Sequence, residues 1–287
     1  MKSNKILLLT TLFLSVVFGL GITSCQKMER PELVIIPDPP PPPYNPLKSY
    51  WAFENNVVDS GELKLAATAK NITYAGGISG QAAKMGTDGY LLIQDVGDTI
   101  KNLGSFTVAF WMNGAAGPVK DGAQGIFSIA NKNEFWGNFD IFLENYTSAT
   151  DPNAAWIKIH MFNAGVATGN GEEWTADDAM KLPNVLNRWT HIAVTYNATT
   201  SKLSVYKDGV PTTTYNKTLG GGNYGAVKFN NVTGMTIGNF SFQTTPTLGN
   251  HGPEPWAKPF NGLLDQFRIY NKALSDAEVN TLFTTKR

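Results

Sequence analysis

Residues 105–112 read Ser-Phe-Thr-Val-Ala-Phe-Trp-Met, and Phe106, Val108, Phe110 and Met112 occupy alternate positions. A period of two places such residues on one face of an extended strand; a helix would scatter them around its axis. The pattern returns in Ile157, Ile159 and Met161, in Ile192, Val194 and Tyr196, and in Leu203 and Val205. Asp208-Gly209 then offers a tight hairpin turn. Gly and Asn clusters separate the runs, the chain holds 28 Gly, and only 16% of residues are charged. Half-buried strands joined by turns predict an all-β antiparallel sandwich over residues 47–287, with neither a second domain nor an internal repeat. One helix is expected, at the end. Ser275 and Glu278 form a capping box, and Leu274 and Val279 are spaced as its hydrophobic staple.

The first 46 residues are of another kind. Lys2 and Lys5 precede an apolar run from Ile6 to Val17, followed by mostly small or apolar residues up to Ser24. This is the layout of an export signal over residues 1–24. Ile22-Thr23-Ser24-Cys25 resembles a loose lipobox of the kind seen in Bacteroidetes lipoproteins, and Cys25 is the sole cysteine of the chain. Its acylation would anchor the protein in lipid, with several acyl chains giving the hold that one lacks. An ordinary cleaved signal with an incidental cysteine is the alternative. Pro37, Pro39 to Pro43 and Pro46 make residues 25–46 an extended tether rather than a helix; a proline-rich ligand for a partner domain is the rival reading. The expected location is the cell envelope, as an outer-membrane lipoprotein. Gln26-Lys27-Met28-Glu29-Arg30 is mixed in charge and does not decide between periplasmic and surface display. Without residues 1–24 the chain keeps 21 basic and 23 acidic residues. That balance gives no sign of a nucleic-acid partner, which would demand concentrated positive charge.

Several segments together resemble a known family. Tyr50-Trp51-Ala52-Phe53-Glu54, with Asp59-Ser60-Gly61, is similar to the opening strand and turn of LamG-like jelly rolls. Gly80-Gln81-Ala82-Ala83 and Gly104 to Trp111 resemble two further elements. Arg188 to Tyr196 followed by Val205-Tyr206-Lys207-Asp208-Gly209 is similar to the family hairpin, and Phe260 to Ser275 to its closing strand. The resemblance runs in order from residue 48 to 284. It implies the concanavalin A-like fold of two stacked antiparallel sheets, with Trp111 and Trp189 used in packing. It implies no particular ligand, because such folds host many functions. It also implies a structural Ca²⁺ between the first and last strands, for which Glu54, Asp59 and Asp265 are the candidate ligands. Hard oxygen donors suit that ion. The alternative is an Asx turn at Asp59 and a bulge at Asp265.

Glucanases share this fold, and residues 138–144 resemble their E-x-D-x-x-E strand. Retaining glycosidases need two carboxylates about 5–5.5 Å apart. Here the first acid is replaced by Asn138, and Asp140 and Glu144 stand about 13 Å apart along a flat strand. Glycosidase activity is therefore not expected, and no catalytic residue is assigned. His160, His191 and His251 show no metal-ligand spacing.

Binding is the remaining reading. Trp156, Lys158, His160 and Phe162 alternate with the apolar Ile157, Ile159 and Met161, and so share the opposite face. Asp140, Phe142 and Glu144 do the same on the preceding strand. If the two strands pair, aromatic rings stand beside acids, a Lys and a His, a combination suited to a sugar. Two long loops add Trp174 with Asp177 and Asp178, and His251 with Trp256. The expected function is carbohydrate capture, with Trp156 as the stacking ring. The alternatives are a protein-binding adhesive or structural role, and aromatics that merely pack a second layer beneath the loops.

Overall fold

The structure, a computed structural model, describes residues 43–115, 122–166 and 171–286. Cys25, the export signal and most of the expected tether lie outside the described residues. Everything below concerns the compact unit from residue 44 onward. Among the described residues, no helix is long and apolar enough to cross a membrane.

Fifteen strands form in chain order: β1 Leu47–Trp51, β2 Thr68–Gly76, β3 Gln81–Ile93, β4 Phe106–Gly114, β5 Ala123–Ile129, β6 Phe139–Leu143, β7 Ala155–Phe162 and β8 Glu172–Thr175; then β9 Lys181–Leu182, β10 Thr190–Asn197, β11 Lys202–Lys207, β12 Val210–Thr218, β13 Met235–Ile237, β14 Ala257–Pro259 and β15 Gly262–Tyr270. Among the described residues two α-helices accompany these strands, α1 Gly97–Lys101 and α2 Asp276–Thr285. The main path of hydrogen-bonded neighbours is β12-β11-β10-β4-β15-β3-β13-β5-β6-β7-β8. Pairing is antiparallel throughout except where β14 lies parallel to β5. The two expected layers are thus halves of one curled sheet, joined through β3 and β13. The fold is that of the expected jelly roll.

The alternating residues fill the space between the halves. Phe106, Phe110 and Met112 of β4 are fully buried, as are Phe127 of β5, Phe139 of β6 and Phe267 of β15. Phe106 meets Phe139 edge-on at 5.1 Å, and Phe127 lies 5.2 Å from Phe267. Rings on one half therefore reach rings on the other, the packing an aligned sandwich requires. The Asp208-Gly209 turn forms as read, with both residues at positive φ (52° and 77°) and Lys207 opposite Val210.

The outward side of β4 carries Thr107, Ala109 and Trp111, which α2 covers. The capping box is present: the Ser275 side chain accepts from the Glu278 N–H, and Glu278 accepts from the Ser275 N–H at 2.9 Å. Bonds from Lys272 and then from Ser275 hold the Glu278 carboxyl down to about 2. Leu274 and Val279 are buried together beside it. Trp111 is buried and stacks on Phe283 at 5.5 Å. Trp189 is only half-buried, so of the two tryptophans expected in the packing Trp111 contributes more. His191 lies 5.2 Å from the Trp111 ring and is buried, with no hydrogen-bond partner for either ring nitrogen. Burial first, and the Arg268 charge second, lower its pKa to about 4.

Candidate functional site

Strands β6 and β7 do pair, with Asp140 opposite His160 and Phe142 opposite Lys158. Asp140, His160 and Phe142 share the face turned away from the main core. All three are buried, because the flanking segments close over them.

Asp140 is the organising group. Its Oδ1 accepts from Ser128 Oγ on β5 at 2.5 Å, and its Oδ2 from the Gly137 N–H at 2.8 Å. Gly137 has to be glycine here. A Cβ would stand 2.5 Å from the Ile129 carbonyl oxygen and 2.9 Å from the Asp140 carboxylate. Asp140 Oδ2 lies 3.1 Å from His160 Nδ1. A carboxylate only accepts, so Nδ1 carries a proton and donates it to Asp140. His160 Nε2 has no hydrogen-bond partner; it is 3.4 Å from Glu172 Oε1 without hydrogen-bonding geometry.

Aromatic rings surround this dyad. Trp174 on β8 stands 4.6 Å from His160 and 4.9 Å from Trp136, and its Nε1 donates to Glu172 Oε1 at 3.0 Å. Trp136 stacks on Phe142 at 5.4 Å, and Phe135 stacks on Phe242 at 4.6 Å. Phe240, Phe242 and Trp256 complete the cluster, with Trp256 6.0 Å from Trp136 and 37% exposed. Beside the cluster opens a cleft of about 250 Å³ lined by Glu134, Phe135, Trp136, Gly137, His160, Phe162 and Glu172. It lies at the small end of ligand sites, which run from roughly 300 Å³ upward.

The predicted site residues divide between two places. Asp140, His160 and Trp174 come together at the cleft, and Trp256 stands on the rim of its aromatic cluster. Phe142 is on the expected face but sealed beneath Trp136 and Phe240, so it supports rings rather than meeting a ligand. Trp156, Lys158 and Glu144 sit at the other end of β7, where Lys158 binds Glu144 at 2.6 Å. Lys158 Nζ is 4.2 Å from the Trp156 ring centre and Lys181 Nζ 4.7 Å. Two ammonium groups thus lie over the ring that was expected to stack on a sugar. The segment 169–183, read as a loop, contains β8, β9 and a short 3₁₀ turn at Asp178–Met180. Asp177 caps that turn and Asp178 pairs with Lys181. Trp136, Phe135, Glu134 and Glu172 were not expected at the site. The signal was an aromatic pair in an Asn- and Gly-containing turn immediately before a strand that carries an acid among apolar residues.

The three carboxylates expected to hold a metal do not form one cluster. Among the described residues, no group of three or more His, Cys, Asp or Glu is placed to hold a metal ion. Asp59 is spent on the Tyr50, Gly61 and Leu65 N–H groups, the turn-forming role that was its alternative reading. Glu54 and Asp265 instead grip one turn. Glu54 accepts from the Gln81 N–H, and Asp265 Oδ2 from the Ile78 and Ser79 N–H groups. Gly80, at φ 66°, leaves no space for a Cβ beside the Glu54 carboxylate. Asp265 Oδ1 is buried without a partner, and burial pushes the carboxyl up to about 6 against the backbone bonds that lower it.

Comparison with known proteins places this geometry among β-sandwich domains. The family described as the concanavalin A-like lectin/glucanases superfamily matches residues 85–280. No protein of curated function matches the sequence. Domain 4 of AbnA, a GH43 extracellular arabinanase from Geobacillus stearothermophilus solved with arabinotriose, is similar in fold. It has 19% identity and a TM-score of 0.52, over 82% of this chain and 97% of that one. The binding domain of botulinum neurotoxin DC, solved with rat synaptotagmin II, gives 13% and 0.56 over 84% of this chain. The serotype D ligand-binding domain, solved with N-acetylneuraminic acid, gives 11% and 0.57, again over 84%. The present chain spans about half the length of each neurotoxin domain (51%). At such identities the likeness is one of fold.

Proposed function

The chain belongs to the concanavalin A-like lectin/glucanase superfamily, and on that premise we propose that it is a non-catalytic carbohydrate-binding protein of the cell envelope. One observation carries the reading. A buried His–Asp dyad backs a cleft whose lining brings the rings of Phe135, Trp136 and Phe162 together with His160 and the exposed carboxylates of Glu134 and Glu172. A sugar ring presents an apolar face to aromatics and hydroxyls to polar groups, and this cleft offers both. Glu134 and Glu172 would accept from sugar hydroxyls, and Trp136 or Phe162 would meet the apolar face. The solved relatives include domains bound to arabinotriose and to N-acetylneuraminic acid, which is in keeping with such a role.

Hydrolysis is not part of the proposal. Asn138 holds the place of the first acid of a glucanase strand, and its Nδ2 donates to the Ala130 and Asn230 carbonyls at 2.9 Å each. Asp140 is committed to Ser128, Gly137 and His160, and Glu144 to Lys158. The deciding experiment is a glycan array probed with the full chain, followed by assay of reducing-sugar release from every glycan bound. Binding without release is expected. Absence of any glycan bound sinks the reading, and release abolished by Asp140→Asn replaces it with a hydrolase.

Two subsidiary parts complete the proposal. Acylation of Cys25 would hold the domain at the outer membrane, in which case Cys25→Ser moves the protein from the membrane to the soluble fraction. A Ca²⁺ would be held by Glu54 and Asp265, with the remaining oxygens from the backbone, and Asp59 drops out of the set. The orphaned Asp265 Oδ1 supports this, since a cation would neutralise a buried charge. Without the ion, Asp265 has a folded pKa above its ordinary value. Its contribution to stability is then complete below about 3.8 and is lost as pH rises through about 6. EDTA should therefore lower Tm more at pH 7.5 than at pH 5. An equal Tm with and without EDTA at pH 7.5 removes the ion.

A further inference from the structure

The cleft is charged on one side only. Glu134 and Glu172 line it, Asp140 lies directly behind His160, and no Lys or Arg is among its lining residues. Three described lysines of this region are engaged elsewhere. Lys217 binds the Trp174 carbonyl at 2.6 Å and Glu173 at 3.0 Å, and Lys158 and Lys181 lie over Trp156 at the other end of β7. His160 lines the same space, with its Nε2 buried 3.4 Å from Glu172 Oε1.

We infer that the cleft selects its sugar by charge, taking a ring with a free amino group before a neutral one and turning away a ring with a carboxylate. The inference rests on the carbohydrate reading and names the class of sugar within it. Two features act in the same direction. An ammonium group is attracted by Glu134 and Glu172, which are exposed at the edge of the cleft. It also gains from the rings of Trp136, Phe135 and Phe162, since a cation over an aromatic face is attracted by the ring quadrupole. A uronic or sialic acid reverses both effects and finds no Lys or Arg among the described lining residues to receive it.

The test uses the full chain and the tightest glycan from the array, prepared in three forms that differ on one ring: free amine, neutral, and carboxylate. Calorimetric titration at low salt should give about tenfold tighter binding at each step from carboxylate to neutral to amine. The spread should shrink as salt is raised, because partly exposed charges are screened. Glu172→Gln keeps an acceptor for Trp174 Nε1 while removing the charge, and Glu134→Gln leaves the dyad untouched. Each should narrow the amine-to-carboxylate spread by about tenfold. A carboxylated form that binds as tightly as the neutral one overturns the charge selection and leaves the carbohydrate reading standing. So does an unchanged spread in both Gln variants. A chain that binds none of the three forms overturns the carbohydrate reading, and the selection with it.

Discussion

Two tryptophans, Trp156 and Trp136, border the same β6–β7 face and have opposite surroundings. Trp156 lies with Lys158 and Lys181 over its ring and Tyr146 edge-on at 6.2 Å. Trp136 lies among Phe135, Phe142, Trp174 and Trp256, beside a cleft with Glu134, Glu172 and His160. Both rings stand on the outward face of a strand pair with the same alternation. What differs is what the neighbouring segments bring. At one end, β9 and the strand itself bring ammonium groups, and the Trp156 ring is taken. At the other, residues 134–137 and β8 bring rings and acids, and a cleft remains open. A tryptophan facing outward is therefore not yet a binding residue; its free face decides.

The largest effect is expected midway between the two ends. Phe142 is sealed beneath Trp136 and Phe240, and Phe142→Ala should lower stability by about 3–5 kcal/mol in a denaturant melt. A loss under 1 kcal/mol would show that the aromatic cover is loose and that the two ends are one open surface.

Acid gives the next largest effect, and it should spare both ends. His191, on the far side of the sandwich under α2, has its pKa lowered to about 4 by burial. A base with a lowered folded pKa contributes stability that is present above about 6.5 and lost as pH falls towards 4. A shift of that size is worth about 3 kcal/mol. Asp265 acts in the opposite sense between about 6 and its ordinary value. Melts of the wild type and His191→Phe from pH 7.5 to 4 should differ in slope, with the variant flatter. Equal slopes would place the acid-sensitive group elsewhere.

Trp136→Ala should weaken sugar binding by about thirtyfold, near 2 kcal/mol for a ring desolvated by ligand. Trp156→Ala should leave binding within twofold. If titration shows the reverse, the comparison is broken and the site moves to the lysine end. The smallest effect sharpens the same contrast. Lys181→Met should change stability by about 0.5–1 kcal/mol, the scale of a partly exposed cation–π contact, with sugar affinity unaltered.

The alternation of Phe106, Val108, Phe110 and Met112, the Asp208-Gly209 turn and the Ser275 capping box could all be read from the sequence because each is a local rule about neighbours in the chain. That Asp140 and His160 share a face was legible from their alternation on the condition that the two strands pair; that they stand opposite each other was not. Other features were not legible. Trp136 enters the site through a glycine-permitted turn that lets Gly137 donate to Asp140, and β8 is too short and too acidic to announce itself as a strand. The fate of Trp156 depended on Lys181, twenty-five residues away in sequence and brought in by a two-residue strand. Contacts of that kind are set by tertiary approach, for which period and propensity give no signal. The same holds for Asp59, whose backbone bonds could not be told from metal ligation until Tyr50, Gly61 and Leu65 were seen around it.

The aromatic cluster beside the cleft has a thermodynamic consequence. Trp136, Trp174, Phe135 and Phe242 are wedged against one another before any ligand arrives, with Trp174 also held by Glu172 and His160 by Asp140. A flexible site must give up side-chain entropy on binding, about 0.5–1.5 kcal/mol for each side chain immobilised. Here most of that ordering is complete on folding. Binding should then show a negative heat-capacity change from burial of the ring faces, and B-factors of the rings should be nearly the same in free and liganded crystals.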